Sequence, residues 1–334
     1  MITSSPLPTP RPRRAANRPR VALPTATPCR TPERRANAST RSATTEPPWV
    51  APQRPLSRTL STSSRCAGSR GGGQAGQGAV RTGVPVRRLD FDALVTGDMG
   101  PECFAGAETV LLISAGAAED DVVIARHEAA ISAAEKAGVR HVVYTSLTGA
   151  GDHLSIALPH RWTERRLMDS SLLDWTILRN GLYAELIALG AMEAAGTGVL
   201  TAPMGAGRVA VVAREDLADA AAIVLADPGA HRGRVYELVG DRAVGGDDIV
   251  AAVARVTGKD AAYRPSGLAE LREVLTAMGL PAWQVPLLVN TYSVIAAGFL
   301  DGTGGDLGTL LGHAPRPALE VIASFATPQG DLSS

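Results

Sequence analysis

Gly71, Gly73 and Gly76 stand at the spacing G-x-G-x-x-G within RGGGQAGQGAV (70–80). Such a loop cradles a pyrophosphate when a buried strand leads into its first glycine. A helix must also open at the last one, so that its N–H groups and dipole meet the phosphates. Here STSSRCAGSR precedes the glycines, small, polar and basic, with no apolar run. Only QGAVRTG separates Gly76 from the next strand candidate, too little for a crossover helix of about a dozen residues. The stretch reads as a Gly/Ser/Gln linker. Other residues offer different chemistry. His160 has an imidazole whose unperturbed pKa is about 6.5, fit to bond hydroxyls or donate a proton. Asp90 offers an acceptor carboxylate, and Tyr183 an aromatic face that could stack on a flat ligand or simply pack. The lysines are Lys136 and Lys259, and neither follows a tyrosine by four positions. A Tyr-x-x-x-Lys proton donor is therefore absent, which disfavours alcohol oxidation by a tyrosinate. Cys29, Cys66 and Cys103 are scattered, odd in number and without metal-ligand spacing, as expected of a reduced cytoplasmic protein.

These groups need elements to hold them. VPVRRLDFD (84–92) reads as a strand ending in acids. AETVLLISA (107–115) and VRHVVYTS (139–146) are apolar runs of strand length, the mark of strands buried on both faces. Between them, VVIARHEAAISAAEKAG repeats apolar residues at helical spacing, with Asp120 or Asp121 as cap and Gly138 as stop. PHRWTERRLMDSS (159–171) reads as a helix with Pro159 near its start. DWTILRNG (174–181) is a further strand. This alternation predicts an α/β fold with a parallel, Rossmann-like sheet. GRVYELVGD (233–241) reads as a strand, and GDDIVAAVARVTGKD (246–260) and GLAELREVLTAMGLP (267–281) as helices. The latter belong to a small C-terminal α+β lobe over the strand ends, where ligands of open sheets bind. His127 and His141 read as structural.

Lys+Arg and Asp+Glu both total 33 among 334 residues, but the halves differ. Residues 1–83 hold many arginines, no lysine, Glu33 and Glu46 as their only acids, and Trp49 as their only aromatic residue. Such a segment buries too little apolar area to offset ordering entropy and reads as disordered. It could be a basic nucleic-acid-binding tail, a transit peptide, or the translation of a GC-rich frame out of phase; the last is favoured, and nucleic acid is an unlikely partner. No run approaches the roughly 18 apolar residues of a membrane span. The organisation expected is a low-complexity segment (1–83), a Rossmann-like domain (84–240, with parts of 181–210 joining the substrate lobe) and a C-terminal lobe (241–328).

LLISAG, HEAAISAAEKAGVRHVVYTSL, HRWTERRLMDSSLLDWTILRNGLYAE, GRVAVVAREDLADAAAIVLAD and GRVYELVGD, in that order, resemble the NmrA-like atypical short-chain dehydrogenases, in particular their NADPH:quinone oxidoreductase type 2 branch. The resemblance covers nearly all of residues 84–325. It implies a Rossmann domain that binds NADP(H) and a C-terminal lobe that forms a pocket for a quinone-like acceptor, in a cytoplasmic protein that could form homo-oligomers. It also implies roles. Asp90 would face the adenine amino group, or be a solvated strand-end acid. Ile113, Ser114 and Ala115 would border the nicotinamide ribose. Thr145 and Ser146 would close the next strand beside the cofactor. His160, where many members place a lysine, would bond the ribose hydroxyls or donate a proton. Asn180, Gly181 and Tyr183 match the RNGWY-like turn, with Leu182 replacing the bulky aromatic. The family's opening strand, its G-x-x-G-x-x-G turn and the following helix and strand have no counterpart in residues 1–83, so that unit is missing or frame-shifted. The activity implied is hydride transfer from NADPH to a quinone; the alternatives are a non-catalytic cofactor-sensing regulator and an inactive truncated or frame-shifted member.

Overall fold

The computed structural model describes residues 87–115 and 118–327. The segment 1–83, with Gly71, Gly73 and Gly76, lies outside the described residues. Four parallel strands make the main sheet, in the order β1 (Thr109–Ile113), β2 (His141–Leu147), β3 (Asp174–Asn180) and β5 (Arg234–Leu238). Register sets Ile113 beside Thr145, Thr145 beside Leu178, and Leu147 beside Asn180. The carboxyl ends of β1, β2 and β3 therefore stand side by side.

These strands form because their apolar runs can be covered on both faces. On one face lie α2 (Asp120–Lys136) and α3 (Ala157–Met168). There Val110, Leu112, Val142 and Tyr144 pack with Ala130, Ile131 and Leu167. On the other face lies α5 (Arg214–Ala226), where Val143 and Leu178 pack with Leu217, Ala220 and Val224. Gly138, at φ +78°, takes the left-handed position that ends α2 as expected. The cap differs from expectation: Glu119 holds that position, with Asp120 and Asp121 inside the first turn.

The segment 84–92 is the main correction. Residues 87–90 have no regular structure, and α1 (Phe91–Thr96) begins at Phe91. Asp90 is the N-cap of that helix: its carboxylate accepts from Asp92 N and Ala93 N at 3.0 and 3.3 Å. Capping two orphan amides starts a helix where the sequence reads as the end of a strand. Phe91 and Leu94 then point into the core beside Phe104.

A second layer is built from α4 (Ala184–Thr197), the parallel pair β4 (Val199–Ala202) and β6 (Ala262–Pro265), and α6 (Gly246–Thr257). After these come α7 (Leu268–Ala277), α8 (Gln284–Ala296), α9 (Leu307–Leu311) and α10 (Ala318–Ser324). Its core takes in Leu147, the last residue of β2, with Leu154 and Ala157. The lobe thus lies against the carboxyl end of the sheet.

Candidate active site

The tip of β1 is held by side chains from β2 and α2. Ser114 N–H donates to Thr145 Oγ1 at 3.1 Å, and Ala115 N–H donates to His127 Nε2 at 2.9 Å. His127 Nδ1 lies 2.7 Å from Thr163 Oγ1, which itself donates to Pro159 O at 2.7 Å. The network therefore assigns the His127 proton to Nδ1, with Nε2 as acceptor. The structural reading of His127 becomes specific: it fixes the backbone at the strand end. Small residues there allow a ligand to approach the main chain. Ile113, the last residue of β1, is 45% exposed on this rim.

His160 stands next to Pro159 in the first turn of α3. Its Nδ1 lies 2.9 Å from the hydroxyl of Tyr144, a fully buried residue of β2. Burial, with the charge of Arg161, pushes His160 down to about 4, against the opposing pull of Glu164. Burial pushes the Tyr144 phenol well above its ordinary value. Both groups are neutral near pH 7. An imidazole with that affinity carries no extra proton at neutral pH. Its hydrogen-bonding capacity remains. Its Nδ1 is engaged by the Tyr144 hydroxyl.

Ser146, two residues along β2, faces the same helix α3 as Tyr144. It is 4% exposed, and its hydroxyl donates to Glu164 Oε1 at 2.5 Å. That commits its hydrogen to the protein interior. Glu164 is the hub of a buried ion network. It receives Arg179 through Nε and Nη2 at 2.9 and 2.7 Å, and Arg161 Nη1 at 2.9 Å. Burial pushes the Glu164 carboxyl up, but hydrogen bonds from Arg179 and Ser146 and the nearby guanidinium charges leave it below the usual carboxylate range. Arg161 also bonds Leu147 O and Thr148 O, both at 2.8 Å. Arg179 continues to Glu237, whose carboxylate accepts from Thr148 Oγ1 and Gly149 N, each at 2.9 Å. The network ties down the loop after β2. Sequence reasoning passed over Glu164, Arg161, Arg179 and Tyr144. A signal was present: Arg179 interrupts the apolar strand DWTILRNG, and a buried charge demands a partner.

Beyond β3, Asn180 is 8% exposed and its Oδ1 is enclosed without a hydrogen-bond partner. Tyr183 is partly buried, with the Arg214 guanidinium 5.0 Å above its ring centre. One ring face is thus already covered. Among the sequence-selected residues, the structure links Ser114, Ala115 and Thr145 with His160 through His127, Thr163 and Tyr144. Asn180 and Tyr183 occupy the neighbouring strand end. Asp90 stays with its own helix, where its second oxygen meets Arg88 at 3.4 Å. Among the described residues, no His/Cys/Asp/Glu cluster could hold a metal, and no helix is long and apolar enough to cross a membrane.

A family model described as NAD(P)H-binding matches residues 86–228. Quinone oxidoreductase 2 of Escherichia coli K12 is 33% identical over 250 residues, 74% of this chain and 84% of the relative. An NmrA-like family domain-containing oxidoreductase of Aspergillus flavus is 27% identical over 258 residues, 75% of this chain and 82% of the relative. Among solved structures, the NADPH-dependent quinone oxidoreductase of E. coli complexed with NADPH is similar at a TM-score of 0.66. That match has 32% identity and covers 75% of this chain and 87% of the other.

Proposed function

The chain belongs to the NmrA-like NAD(P)H-binding family of oxidoreductases, and on that premise we propose that it reduces a quinone or a similar flat, electron-poor acceptor with NADPH. The observation that carries this reading is the absence of a Tyr-x-x-x-Lys proton donor from the sequence. Tyr144 and His160 are both neutral and both poor acids at pH 7. A carbonyl that must be protonated as it is reduced would find no donor of matched pKa. A quinone needs none at that moment, because its ring delocalises the charge of the hydroquinone anion that hydride transfer leaves, and water supplies the single proton afterwards.

The described residues fit the nicotinamide end of such a cofactor. Ser114 and Ala115 present small side chains beside a fixed main chain, and the Tyr144 hydroxyl holds the His160 ring in place. They do not supply a glycine-rich strand-to-helix turn for the pyrophosphate; none precedes β1 among the described residues. When bound, NADPH supplies the hydride. The protein's part is to orient two flat rings against each other and to exclude water between them.

The test is an NADPH titration of the full chain followed by nicotinamide fluorescence, with NADPH consumption then measured against simple benzoquinones and naphthoquinones. Saturable binding with acceptor-dependent oxidation supports the reading. Saturable binding without oxidation of NADPH moves the protein to a cofactor-sensing role. Absence of binding overturns both.

A further inference from the structure

The loop 148–156 leads from the end of β2 to the first turn of α3, which carries His160. Its near half is fastened to the sheet by the Arg161 and Glu237 bonds described above. A Cβ on Gly151 would lie 2.8 Å from Leu147 Cγ, so the chain runs close over the end of β2.

The far half is fastened to the C-terminal lobe. Asn290, in the middle of α8, accepts from Ser155 N at 2.7 Å through Oδ1, and its Nδ2 reaches His153 O at 3.4 Å. A side-chain amide supplies one acceptor and one donor group, and the loop presents the complement of each. The His153 ring stacks on Phe299, just beyond α8, with centroids 3.9 Å apart and planes at 29°. Leu154, between the two residues that Asn290 bonds, is 3% exposed. It lies in the core of the lobe with Val294, Ile295 and Ala157, the first residue of α3. The loop is thus a tether with one end on the sheet and the other in the lobe.

We propose that Asn290 is a positioning residue for acceptor reduction: by clamping 153–155 to α8 it sets the gap between the lobe and the strand ends, and with it the approach of the acceptor to the nicotinamide. The inference rests on the reading under Proposed function and adds the part of the chain that spaces the two rings. Reacting atoms must come within about 3–3.5 Å, and a misplacement of about 1 Å can cost about a hundredfold in rate. A clamp at the lobe end changes that spacing without touching the tip of β1, which Thr145 and His127 hold by themselves.

The experiment uses the full chain and measures three things: kcat and KM for a simple naphthoquinone, the Kd of NADPH by nicotinamide fluorescence, and hydrogen exchange at the Ser155 amide. Asn290→Ala should speed exchange at Ser155 and lower kcat/KM for the quinone about tenfold or more, while the Kd of NADPH stays within about twofold. Asn290→Asp keeps an oxygen facing Ser155 N–H and should restore most of the quinone activity. Unchanged quinone kinetics in Asn290→Ala overturn the proposal, as does an unchanged Ser155 amide. A loss shared equally by NADPH affinity, or one that Asn290→Asp does not rescue, shows instead that Asn290 serves the fold. If the wild type binds no NADPH or reduces no acceptor, the oxidoreductase reading falls first and takes this one with it.

Discussion

The Tyr144 hydroxyl lies 2.9 Å from Nδ1 of His160, and burial holds both members of the pair neutral. The bond joins the middle of the sheet to the first turn of α3. It fixes the imidazole against the strand and keeps it uncharged near pH 7.

Stability should therefore depend on pH in a defined window. His160 titrates at about 4 in the folded protein, against about 6.5 in an unfolded chain. Between these values the unfolded state binds more protons, so stability rises with pH. The contribution is complete above about 6.5 and is lost as pH falls through the folded value. His141, also lowered chiefly by burial, adds in the same direction. Urea midpoints at pH 7 and pH 5 should differ less in His160→Gln than in the wild type. Equal differences would show that another group carries the slope.

The ion network at Glu164 should resist dismantling from one side. Its side chain is 5% exposed. Arg179→Met leaves that carboxylate with Arg161 as its one positive partner, beside the Ser146 hydroxyl, and should cost about 3 kcal/mol, the scale for breaking a buried pair. The double variant Glu164→Gln with Arg179→Met should regain part of the loss, since no buried charge is stranded. Urea unfolding of the two variants measures both. A loss below about 1 kcal/mol for Arg179→Met, the range of an exposed pair, would contradict the burial argument.

How much of this was legible in the sequence depended on whether the cause was local. Thr109–Ile113, His141–Leu147 and Asp174–Asn180 announce themselves as apolar runs, because a strand covered on both faces can hold little else. Gly138 marks the end of α2 for an equally local reason. Asp90 failed locally too: a carboxylate before Phe91 and Leu94 is as good a helix cap as a strand end, and the two amides of Asp92 and Ala93 decide. The Tyr144–His160 and Glu164–Arg179 pairings lay beyond reach. They require α3 to pack across β2 and β3, and spacing along the chain does not report which face of a strand meets a helix.

Glycines divide into those that touch and those that do not. A Cβ on Gly240 would sit 2.2 Å from Val211 O, a backbone atom that cannot rotate away. Gly240→Ala should cost about 2 kcal/mol or more through forced backbone shifts. Gly196, in the last turn of α4, has nothing within 4 Å of such an atom. Gly196→Ala should stabilise by about 0.5 kcal/mol, from helix propensity. Thermal unfolding of the pair checks both signs.

Asp216, fully buried in α5, accepts from the backbone N–H of Arg316 at 2.8 Å and from its guanidinium, which also meets Glu215 and Asp219. Arg316→Ala should lower the thermal midpoint, whereas Glu215→Gln, at the exposed rim, should leave it nearly unchanged. A midpoint unmoved by Arg316→Ala would show that the buried carboxylate is satisfied in another way.

That clasp has a consequence for biosynthesis. Asp216 and its partner are separated by 100 residues. At about 5–20 residues per second, the nascent chain carries the Asp216 carboxylate for about 5–20 s before Arg316 emerges to meet it. Throughout that interval the Asp216 carboxylate is without this partner, and the clasp forms only when Arg316 has been made.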